Sequence, residues 1–119
     1  MYSASGREVV TVNVDDLLVV SSADNYVVVV SRGEKGVRKD LLRTSLNRVE
    51  KLLRNYPMMF RCHRTAIVNL RNVKSASGNS QGYRLRLEQL EFLVPVARSR
   101  VRLFRKRCAA TGCLQPSVR

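Results

Sequence analysis

Hydrophobic positions along the chain change their spacing several times, and each change predicts an element. From Val10 to Val14 apolar and polar residues alternate, so Val10, Val12 and Val14 share one face of an expected strand. Residues 17–20 and 26–30 are short unbroken runs rich in β-branched side chains, bounded by Asp15-Asp16, by the polar stretch 21–25 and by Gly33. They read as strands buried on both faces. Residues 31–36 look like a hairpin turn leading into a short strand through Val37. The period then lengthens: Leu46, Val49, Leu52 and Leu53 recur at helical spacing, Thr44 or Ser45 can cap the start, and Asn55 with Pro57 ends it. This predicts one amphipathic helix of about three turns.

Beyond Phe60 the backbone reads as extended, with Ala66, Ile67 and Val68 as an apolar strand. Residues 75–82 are all small or polar and read as a turn. In residues 83–87 arginines alternate with apolar residues, so Tyr83, Leu85 and Leu87 face the core while Arg84 and Arg86 face water or a ligand. Residues 91–96 form a further expected strand, and Pro95, which cannot donate to a central ladder, places it at an edge. A second helix is expected from Ser99, with Val101 and Phe104 on its apolar side. Residues 108–119 carry Gly112 and Pro116 without periodicity and read as a flexible tail. The expectation is one domain over residues 1–107, built from about seven to nine short strands and one or two helices.

Composition narrows the function. With 119 residues, 45% of them hydrophobic and 26% charged, the chain has the make-up of one folding domain. Twenty-two Lys and Arg against nine Asp and Glu leave +13, a surplus that attracts polyanions and makes nucleic acid the leading partner. The charge is uneven: residues 1–59 carry +2 and residues 60–119 carry +11. Seventeen of the basic residues are Arg, whose planar fork grips a phosphate or a guanine edge with two bonds. A solvated basic face without a binding role is the competing reading. No run of 18 apolar residues and no basic-then-apolar leader occurs, so a soluble, cytoplasmic protein with no membrane partner is expected.

The three cysteines, Cys62, Cys108 and Cys113, are odd in number and irregular in spacing, which fits a reduced compartment. Cys62 reads as a core residue and the other two as part of the tail. No CxxC pair marks a zinc site, and nothing calls for a metal or another cofactor. Cys62 and His63 are adjacent on extended backbone and should diverge, which argues against a thiol–imidazole nucleophile and against an enzyme. The start of the second helix carries its own electrostatic signal. Arg98, Arg100 and Arg102 crowd an end whose unpaired N–H groups are already partly positive, a repulsion that a bound phosphate relieves and that splaying into solvent also reduces. Helix-turn-helix, C2H2 and RRM signatures are absent. A β-rich body presenting arginines from loops and strand ends remains, suited to the grooves of duplex DNA.

Three ordered motifs resemble the LytTR family of bacterial DNA-binding domains. In residues 60–73, Arg61-Cys62-His63-Arg64-Thr65 is similar to the family's R-x-H-[RKN]-[ST] stretch, which precedes an apolar strand ending in V-N, here Val68-Asn69. Residues 18–29 resemble its early strand-loop-strand, and Val94-Pro95-Val96-Ala97-Arg98-Ser99 resembles its terminal signature. The resemblance spans Val9 to Arg107. It implies a mainly β, elongated LytTR-type fold of short, mostly antiparallel strands with one central helix and a short C-terminal helix. It also implies insertion of loops into successive major grooves of double-stranded DNA, usually at direct repeats, where a second copy can bind.

Carried over by position, the first loop is Asp24-Asn25-Tyr26, the second His63-Arg64-Thr65, and the third Arg98-Ser99-Arg100. Tyr26, Arg64 and Arg98 would contact base edges, and Asn25, Arg61, Thr65, Ser99, Arg100 and Arg102 would hold phosphates. His63 either touches DNA or orients the loop from inside. Many family members follow a receiver domain, so the chain is expected to be either a fragment of a response regulator or a stand-alone regulator. The rival reading is a non-specific basic RNA-binding or ribosome-associated module.

Overall fold

Apolar runs that do not alternate need cover on both sides, and the tertiary structure supplies it. The computed structural model of the chain describes residues 9–111. Strands β1 (Leu17–Ala23), β2 (Tyr26–Gly33), β3 (Gly36–Leu42), β4 (Met59–His63) and β5 (Ala66–Asn69) form an antiparallel sheet in the order β3-β2-β1-β5-β4. Helix α1 (Leu46–Leu53) covers one face, where Val20, Val27, Val29 and Ile67 pack with Leu46, Val49 and Leu53. The other face meets a second antiparallel sheet, β6 (Val73–Asn79), β7 (Gly82–Leu87) and β8 (Val94–Ala97), together with helix α2 (Val101–Thr111). There Leu18, Val30, Phe60 and Val68 pack against Tyr83, Leu85, Val96 and Phe104. The first sheet is thus the middle layer of three, and its central strands carry unbroken apolar runs, residues 17–20, 27–30 and 66–68, where both faces are covered.

Phe104 anchors the second core, with its ring centroid 5.9 Å from Tyr83 in an edge-to-face contact and 6.3 Å from Phe60. Two buried amides stitch the chain where it leaves the first sheet for the second. Asn69, only 1% exposed, donates from Nδ2 to the Leu17 carbonyl at 2.8 Å, while its Oδ1 accepts from the Arg71 N–H at 3.0 Å and caps a 3-10 turn over Leu70–Asn72. Asn72 Oδ1 in turn accepts from Arg32 Nη2 at 2.8 Å.

The fold is the elongated, mainly β one expected, with principal extents of 44 × 30 × 24 Å, and several elements depart from the sequence reading. Residues 10–14 form no strand. Both neighbours of β1 are already taken by β2 and β5, so the alternation there serves one-sided packing, and the chain turns through a 3-10 segment, Val14–Asp16, capped by Asn13. Helix α1 has eight residues, about two turns rather than three, and Leu52 is 56% exposed. Ser45, not Thr44, is its cap. The small polar residues 75–79 lie within strand β6, and only residues 80–81 turn. Of residues 91–96 only the last three are in a strand, β8, where Pro95 does sit at a sheet edge.

Helix α2 runs past Arg107 to Thr111 and buries Cys108 completely, so the ordered body extends into the expected tail. Cys62 is a free, buried thiol. Residues 112–119, including Cys113, lie outside the described residues, as do residues 1–8. Among the described residues no helix is long and apolar enough to cross a membrane.

Candidate nucleic-acid interface

Antiparallel pairing brings two of the three expected loops to the same end of the first sheet. Ala23 faces Tyr26 across the β1–β2 turn, Ser21 faces Ala66 across β1 and β5, and the Ser22 N–H donates to the Thr65 carbonyl at 2.9 Å. The β1–β2 and β4–β5 turns are therefore neighbours tied through backbone. Asp24 has φ of 54°, a left-handed conformation that Asp tolerates better than most residues. Tyr26 is 40% exposed, and the Arg43 guanidinium lies 6.0 Å from its ring centroid. Arg43 follows β3 on the same end of the sheet, a position that only the β2–β3 register reveals.

In the β4–β5 turn Arg64 is exposed and forms no ion pair among the described residues, whereas its neighbours are engaged. His63 Nδ1 lies 2.7 Å from Thr65 Oγ1 and accepts from the Thr65 backbone N–H at 3.2 Å. Both contacts are met together when Nδ1 is bare and Nε2 carries the proton. These contacts tie the His63 imidazole to the Thr65 side chain and backbone within the turn. Arg61 turns toward α1, with 14% of its side chain exposed, and donates to Asn47 Oδ1 at 2.8 Å and Glu50 Oε1 at 2.9 Å. It also donates to the carbonyls of His63 at 3.1 Å and Arg64 at 2.6 Å.

The third segment joins the second through a cleft of about 640 Å³, whose walls include His63 and Arg64 on one side and Ser99 and Arg100 on the other. Arg98 points elsewhere. With Ser80, Arg102 and Arg105 it lines a separate cleft of about 340 Å³ beside the β6–β7 turn, which the pairing of Gly82 with Ala97 brings alongside. The strand-to-helix junction is a 3-10 turn over Arg98–Arg100 whose cap residue, Ala97, offers no side-chain acceptor. The amide groups at that helix start are thus left for water or an anion. Arg105 was not singled out from sequence, although the spacing 98, 102, 105 already places three guanidiniums on one helical side.

Cys62 points away from this surface into the second core, with Sγ 3.7 Å from the Ala66 carbonyl. Burial pushes its thiol up from 9.0 to about 12, so it stays protonated at ordinary pH and is no nucleophile.

The LytTr DNA-binding domain family matches residues 7–109 of the chain. Among solved structures the chain is similar to the LytTr DNA-binding domain of a methyl-accepting/DNA response regulator from Bacillus cereus. The two share 22% sequence identity over 82% of this chain and 85% of that one, with a TM-score of 0.64, a likeness of fold. No curated protein matches.

Proposed function

Because the chain belongs to the LytTr DNA-binding domain family, we propose that it is the sequence-specific output domain of a bacterial transcriptional regulator, acting on duplex DNA in the cytoplasm. The observation that carries this reading is convergence. Three segments far apart in sequence are linked in space: the Ser22–Thr65 bond ties the first turn to the second, and a shared cleft joins Arg64 to Arg100 of the third, while Arg98 opens on a separate cleft with Arg102 and Arg105. All three are polar and present exposed side chains, and two are built around arginine. Tyr26, Arg64 and Arg98 are the base-reading residues in this proposal. Asn25, Ser99, Arg100 and Arg102 hold phosphates, with Arg43 and Arg105 added to that set by their position.

The long axis of 44 Å suits contact with successive major grooves, which repeat about every 34 Å along B-form DNA. Binding at direct repeats, with a second copy on the adjacent repeat, and attachment to a receiver domain complete the proposal. Selection from a random duplex pool tests it. A defined motif should emerge, and an A-form RNA duplex should fail to displace the protein from it, because side chains cannot enter the deep, narrow major groove of RNA. Displacement by RNA as effective as by unlabelled DNA would favour the RNA-binding reading.

A further inference from the structure

Arg61 stands in the strand that leads into the turn carrying Arg64, beside a bulge that shifts the β4–β5 register between Arg61 and His63. A bulge leaves backbone groups outside the ladder and re-aims the residues that follow it. The Arg61 fork meets two such groups with one edge, Nε to the His63 carbonyl and Nη2 to the Arg64 carbonyl. The remaining nitrogen, Nη1, reaches across to Asn47 and Glu50 on α1. Four of the five guanidinium donors are thereby used inside the protein. A phosphate would find one N–H on a side chain that is 14% exposed.

We propose that Arg61 is a positioning residue: it couples helix α1 to the β4–β5 turn and sets the direction in which Arg64 leaves the backbone. The inference rests on the reading of that turn as base-contacting. A bidentate contact to a base edge demands placement within about half an ångström, which an exposed turn holds only when its backbone is anchored. Arg61 anchors it at two successive carbonyls. Glu50, an acid lining the same cleft as Arg64 and Arg100, would repel phosphates if it stood free, but its charge is held by Arg61 at 2.9 Å. Lysine cannot replace this arrangement, since a point ammonium does not span two pairs of acceptors in one plane.

The test uses the full chain, the duplex best bound from a random pool, and a scrambled duplex of the same composition, at two salt concentrations. Arg61→Lys should lower the specific-to-scrambled affinity ratio by about tenfold, within the range of one lost bidentate base contact, and leave scrambled binding and the salt slope unchanged. Asn47→Ala and Glu50→Gln, both at exposed positions, should shift the ratio in the same direction by less, and they carry the test if Arg61→Lys does not fold. In an Arg64→Ala background Arg61→Lys should have no further effect on the ratio, because it acts through Arg64. Equal losses on both duplexes, with the salt slope flattened by about one unit, would make Arg61 a phosphate contact and overturn the proposal. If Arg64→Ala itself leaves the ratio unchanged, the base-contacting reading of the turn is what has failed.

Discussion

Arginine side chains in this protein divide by what their forks face. Arg32 is half-buried, bonded to Asn72 and within 4 Å of Asp16 and Glu88, and Arg61 holds a turn. Arg98 and Arg102 are exposed on the side assigned to DNA. Surface ion pairs contribute little to stability, so the effect of losing Arg98 should appear in recognition. Arg98→Ala is expected to weaken binding to the selected duplex by about 1 to 3 kcal/mol more than binding to scrambled DNA, whereas Arg102→Ala should weaken both alike and flatten the salt slope by about one unit. Equal losses for Arg98→Ala would make it a backbone contact. Cys62 supports a different prediction. Its thiol is raised by burial, so the unfolded chain ionises it first, and stability that is intact below pH 9.0 is lost as pH climbs toward about 12. Denaturant melts from pH 8 to 11 should show a steeper alkaline decline for the native chain than for Cys62→Ala.

Elements show where local pattern and packing part company. Residues 75–79 of strand β6 are Ser, Ala, Gly and Asn, residues that suit turns, yet β7 supplies them with a partner and Ala76 is buried between exposed Ser75 and Ser77. Gly78 is what allows the close pairing. At its φ of 136° a Cβ would sit 2.2 Å from the Gly82 carbonyl oxygen and 2.9 Å from the Tyr83 Cα, both backbone atoms that cannot yield cheaply. Gly78→Ala is expected to cost on the order of 2–4 kcal/mol. Gly36→Ala has a similar φ of 113° but open space around it, and should cost only the conformational part, about 1–2 kcal/mol. Chemical denaturation of the two variants separates steric from conformational cost, and equal losses would remove the steric argument.

The whole molecule sets one basic half against a nearly neutral one. Residues 60–119 carry +11 and supply Arg64, the Arg98–Arg100 junction and all of α2, whereas residues 1–59 carry +2 and supply most of the middle layer. If the proposed surface neutralises roughly five to seven phosphates, log affinity should fall against log salt with a slope of about −5 to −6. A slope near −1 would leave the basic surface without a role in binding.

The sequence by itself determined what depends on a few neighbouring residues. Continuous β-branched runs specified β1 and β2, helical spacing after the capping candidates Thr44 and Ser45 specified α1, and the alternation in β7 specified which of its side chains are buried. The resemblance of three short motifs pointed to the family. Only the tertiary structure decided that residues 10–14 form no strand, that β6 is a strand, that Cys108 belongs to the core, and that Arg61 and Thr65 bond inside the protein. Those outcomes depend on which strand lies alongside, which layer covers a face and which carbonyl a bulge leaves open. Each is a contact between residues distant in sequence or a departure from regular backbone, and neither leaves a period or spacing to read along the chain.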